Sequence, residues 1–144
     1  MQILARTNVL QAASSFELLT RLADLRPDIC GNACDPHGNP LPLEFGLFVD
    51  PDDFGNWATV DPAAEPGLEP IDLAYLQHTL QEAIAREGLR YRIENDGAGY
   101  AHAKLCAADT VAGATLASSK WAAIAILEAF VEYLNREGSA DAAG

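Results

Sequence analysis

All eight prolines of this 144-residue chain lie between Pro27 and Pro70, and that distribution constrains the fold more than any other feature. Proline removes a backbone donor and clashes with the preceding helical turn, so long helices are excluded from the middle of the chain and concentrate at its two ends. The chain therefore reads as one α+β domain over 1–137: a helical head (1–26), a Pro-rich acidic segment (27–70) and a helix-hairpin-helix unit (71–137). Residues 138–144, "GSADAAG", are expected to form a small, polar, flexible tail.

In the head, Asn8 with Gln11 and Ser14 with Glu17 carry capping-box spacing. Val9, Ala13, Phe16, Leu19, Leu22 and Ala23 then follow a helical stripe that must stop before Pro27. "LPLEFGLFV" places Leu41, Leu43, Phe45, Leu47 and Val49 on one face of a strand, and "NWATV" (56–60) is its shorter partner. Pro70 opens a second helix with the stripe Leu73, Leu76, Leu80, Ala83 and Ile84, and Gly88 closes it. Leu89, Tyr91 and Ile93 alternate in a strand, "NDGAG" turns the chain, and Ala101, Ala103, Leu105 and Ala107 alternate in the return strand. "DTVAGATLA" reads as a short third strand. Ser118 or Ser119 then caps a helix to about Glu137, whose wide apolar arc suits packing against both a sheet and a helix. The expected architecture is an antiparallel sheet of about four strands flanked by three helices.

Net charge is −12, from nine basic and twenty-one acidic residues, which opposes direct binding to nucleic acid or to an anionic membrane. No apolar run is long enough to cross a bilayer or to act as a secretory signal, and three cysteines at unmatched spacings suit a reducing compartment, so a cytoplasmic protein is expected. Between Arg26 and Arg86 there is no Lys or Arg and there are eleven acidic residues. Within that span Asp50, Asp52, Asp53, Asp61, Glu65 and Glu69 surround Phe54 and Trp57. Carboxylates that steer a cationic partner, with aromatic anchors between them, point to docking on a basic protein surface.

Other chemistry is weaker. Cys30, Cys34 and His37 (C-x3-C-x2-H) would hold zinc given a fourth ligand from Asp35, His102 or Cys106. His102 and Cys106 stand roughly 13 Å apart along a strand, too far for one metal or for a thiol and its base. Asp50, Asp52, Gly55 and Asp61 match positions of a calcium loop, but Phe54 stands where an oxygen ligand is needed. Tyr100, His102 and Lys104 share a strand face and are the candidate centre if the chain is an enzyme. Phosphate-loop, dinucleotide, nucleophile-elbow and zinc-protease motifs are absent from the sequence, and no cofactor is expected.

The run "IDLAYLQHTLQEAIAREG", "LRYRIE", "NDGAGY", "AHAKLCAA" and "SSKWAAIAILEAFVEYL", over 71–136, resembles the phage alpha-beta-alpha sandwich domain in the order and composition of its elements. The resemblance implies a phage or prophage accessory protein and brings no functional residues with it. With the charge pattern, it gives the expectation of a non-enzymatic inhibitory protein that imitates nucleic-acid charge or blocks a host-defence complex.

Overall fold

A computed structural model describes residues 15–48, 56–107 and 115–143. The elements run α1 (Ser15–Leu25), β1 (Cys30–Cys34), β2 (Pro40–Leu47), β3 (Asn56–Thr59), α2 (Pro70–Arg86), β4 (Leu89–Asn95), β5 (Ala101–Ala107), β6 (Thr115–Ser119) and α3 (Ala122–Ala143). The class is α+β, as expected. The strands number six among the described residues and form two antiparallel sheets, β1-β2-β3 and β4-β5-β6, where one sheet of about four was expected.

Two strands account for the difference. Cys30–Cys34 is not among the expected strands; its Gly, Asn and Ala carry no alternating pattern, and the segment is a strand because it pairs with β2. The strand after β5 sits at Thr115–Ser119, paired with β5 from Ala101↔Ser119 to Leu105↔Thr115. The other elements agree more closely with expectation. Pro70 starts α2, Gly88 follows it at φ +75°, and Leu76, Leu80, Ala83 and Ile84 are buried. In β2 only Phe45 and Leu47 of the expected stripe are buried, whereas Leu43 is exposed near the far end. Val49 and both capping boxes lie wholly or partly outside the described residues.

Helix α3 is the centre of the molecule. Ala123, Ile124, Ala125, Ile126, Leu127, Ala129, Phe130 and Val131 are all buried, which is the pattern of a helix enclosed on most sides. It packs against β5, β6, α2 and α1, and the short inward side chains Ala101 and Ala103 of β5 leave it room. It runs past the expected end at Glu137 to Ala143. Helix α2 packs against both β3 and β4 and so links the two sheets. At the end of α1, Arg26 forks onto Asp28 (3.0 and 2.8 Å) and reaches Glu87 (2.5 Å) at the C-cap of α2.

Candidate functional site

Of the residues expected to bind a partner, Asp50, Asp52, Asp53 and Phe54 lie outside the described residues, and Trp57, Asp61, Glu65 and Glu69 lie within them. Trp57 sits on β3 directly across from Gly46 of β2, which in turn faces Gly31 of β1. A Cβ built on Gly46 would meet Trp57 Cζ3 at 3.2 Å and Phe48 Cζ at 3.0 Å, so both rings rest over the bare glycine backbone. The indole is held in place on the sheet while remaining 50% exposed. Asp61 Oδ1 accepts the Ala63 N–H (3.0 Å), and its own N–H donates to the Gly67 carbonyl (2.8 Å), which orders the loop after β3. That loop is anchored from below by the buried Ser15 hydroxyl, which donates to the Pro66 carbonyl. Glu65 and Glu69 are exposed, Glu69 at the N-cap of α2 with no side-chain capping bond.

The zinc cluster does not assemble. Cys30 is fully buried beneath α1, its Sγ 3.7 Å from the Leu19 carbonyl, whereas Cys34 and His37 are exposed. The two thiols belong to one strand, four residues apart, or roughly 13 Å at the usual rise. Asp35, offered as a fourth ligand, accepts the N–H groups of His37 and Asn39 (2.9 Å each) and shapes the β1–β2 turn. Among the described residues no three His, Cys, Asp or Glu side chains converge as a metal would require.

The outer face of β4-β5-β6 holds the most developed side-chain constellation. The register sets side chains in rows: Glu94, His102 and Ser118 in one, Arg92, Lys104 and Leu116 in the next. The alternate residues of β5, Ala101, Ala103 and Leu105, face the core, so this row pattern follows from the period of two. A groove of about 330 Å³ opens over the two rows, lined by Arg92, Glu94, His102, Lys104, Leu116 and Ser118.

His102 is held from both sides. Its Nε2 is 2.9 Å from Asp96 Oδ2 and its Nδ1 is 2.6 Å from Ser118 Oγ. Asp96 is itself fixed by the hairpin turn: Oδ1 accepts the N–H groups of Ala98 (2.7 Å) and Tyr100 (3.2 Å), while Gly97 and Gly99 take the positive φ the turn demands. The contact with His102, and then the two backbone amides, hold the Asp96 carboxyl below the usual carboxylate range. An ionised carboxylate only accepts, so Nε2 carries the proton. In the neutral ring Nδ1 then presents its lone pair to the Ser118 hydroxyl.

His102 and Lys104 were singled out from the sequence and do line the groove; Tyr100 does not, because β5 begins at Ala101 and Tyr100 belongs to the turn. Asp96 and Ser118 were missed. Ser118 was read only as a helix cap, and the cap bond is made by Ser119, whose Oγ accepts the Trp121 N–H at 3.2 Å. The turn motif "NDGAG" held the one available signal for Asp96, an acid at the mouth of a hairpin whose return strand carries a histidine. Compared with known proteins, the chain matches no family model, no curated protein and no solved structure.

Proposed function

We propose that this chain is a protein-binding module, an accessory or inhibitory protein of the kind phages and prophages carry, that docks a basic surface of its partner in place of nucleic acid through a face that takes no part in catalysis. The observation that carries this is Trp57: a half-exposed indole seated on Gly46, inside a span with eleven acidic residues and no Lys or Arg. Rigid aromatic anchors supply most interface energy, and surrounding carboxylates raise the encounter rate and exclude acidic competitors. Asp50, Asp52, Asp53, Phe54, Asp61, Glu65 and Glu69 are the remaining contact residues of this reading.

The test titrates the full chain with poly-L-lysine, as a cationic surface of defined chemistry, at low and high salt. Binding is expected to weaken steeply with salt, to disappear when Asp50, Asp52 and Asp53 are all changed to Lys, and to fall on the order of 30-fold in Trp57→Ala, the loss typical of an interface hot spot. Far-UV circular dichroism of the variants should match the parent. Affinity indifferent to salt and to the charge reversals sinks the proposal.

A further inference from the structure

We propose that Asp96, His102 and Ser118 form a nucleophilic site, with Ser118 Oγ attacking acyl esters that carry a second, anionic group. Three features on the outer face of β4-β5-β6 support it. First, Ser118 and His102 are within hydrogen-bond reach, and the base is oriented by a third group that is itself fixed through two backbone amides. Second, the network does little that the fold needs. The strands already pair along their full lengths, and polar bonds at the surface, with His102 about half exposed, add little stability. Third, the groove beside the network is open to a ligand and has a sign. Arg92, Lys104 and Glu94 line it; Arg92 pairs with Glu94 at 3.5 Å, which leaves Lys104, one row from His102 and Ser118, as the cation offered to a ligand. One row is roughly 7 Å along the strand, which leaves a contact distance at each end for the roughly 4 Å between the carbonyl and carboxylate carbons of a succinate monoester.

The two ring nitrogens exchange the roles they have in serine proteases: here Nε2 meets the carboxylate and Nδ1 meets the hydroxyl. The chemistry is the same. Ser118 Oγ bonds to the carbonyl carbon as its proton passes to His102 Nδ1. The bond to the leaving oxygen then breaks, and that oxygen takes the proton from Nδ1 and departs as the alcohol. Water adds to the acyl-serine with His102 again removing a proton, Ser118 recovers it, and the acid is released. Ester and water become acid and alcohol, and no other reactant is needed. Asp96 is a positioning residue that holds the ring in the reactive tautomer.

The experiment uses the full chain with 4-nitrophenyl succinate, its neutral counterpart 4-nitrophenyl acetate, and a fluorophosphonate probe mapped by peptide mass spectrometry. Expected are a burst of about one nitrophenolate per chain, a phosphonyl adduct on Ser118, and a lower KM for the charged ester that Lys104→Ala raises. Ser118→Ala removes burst and adduct. Asp96→Asn lowers the single-turnover acylation rate by a factor on the order of 100 or more with the dissociation constant for the ester unchanged, which a clamp that merely steadies the hairpin would not do. An adduct that is absent or lies on another residue, or a Ser118→Ala variant with the parent's turnover and the parent's circular dichroism, overturns the proposal. Neither result depends on binding to poly-L-lysine, so this site and the docking face fail separately.

Discussion

Cys30 should be the slowest of the three thiols to alkylate, through two effects that multiply. Burial pushes its thiol up to about 12, because a thiolate beneath α1 would have no water and no cation beside it. At about pH 8 such a group is roughly 10⁻⁴ ionised, against about 0.2 for an ordinary thiol, so ionisation alone slows it on the order of 10³-fold. Access adds a second factor: Cys30 has no exposed surface, and its Sγ lies against the Leu19 carbonyl, so a reagent must wait until α1 lifts from β1. Cys34, on the same strand but exposed, is open to the reagent. The assay is a quenched time course with iodoacetamide, each thiol followed by peptide mass spectrometry, first folded and then in denaturing guanidinium, where the rates should converge. Adding a chelator should leave the Cys34 rate unchanged, whereas zinc held by Cys30, Cys34 and His37 would protect both thiols until it was removed. Native Cys30 reacting within about ten-fold of Cys34 would refute the placement of β1 against α1.

Two further perturbations probe other parts of the fold. Gly67 is buried at φ +88°, and a Cβ there would lie 2.9 Å from the Ser15 Oγ that donates to Pro66. Gly67→Ala should therefore cost about 2–3 kcal/mol in urea unfolding, from the left-handed backbone and the disturbed hydrogen bond together, and a loss under about 0.5 kcal/mol contradicts this packing. Burial on α3 raises the Glu128 carboxyl above its usual range, and Glu132 adds to the shift. The folded state thus holds this proton more tightly than the unfolded chain. The penalty is absent below the unfolded value of about 4.3 and fully present once pH has risen past the folded value. Glu128→Gln should raise Tm at neutral pH, with the gain vanishing in acid; a gain that is the same at every pH would refute the cause.

Local signals carried most of the elements. The proline at 70 and the glycine at 88 bracket α2, and the alternation on either side of "NDGAG" gives β4 and β5. These depend on residues within a few positions of one another. What was not legible depends on pairing at a distance. No property of "CGNAC" marks it as a strand apart from the ladder to β2, whose register shifts between Asn32 and Cys34. The division into two sheets likewise follows from partners, since each strand's own composition is silent on which sheet it joins. The same holds for the Asp96, His102 and Ser118 constellation. His102 and Ser118 are 16 residues apart, and they meet only because Ala101 pairs with Ser119. A slip of one residue would turn Ser118 toward α3.

The topology also places the Lys- and Arg-free span and the basic strands on different sheets. Each sheet is built from one contiguous stretch, β1 to β3 from the first half and β4 to β6 from the second, with no strand exchanged between them. The span without Lys or Arg contains the whole first sheet and nearly all of α2, so Trp57 stands on a sheet with no fixed cation of its own. Arg90, Arg92 and Lys104 all fall on the second sheet, and the strand period puts the three on the face that carries His102. On a chain of net charge −12, a sheet without Lys or Arg and a second sheet that carries Arg90, Arg92 and Lys104 coexist for this reason.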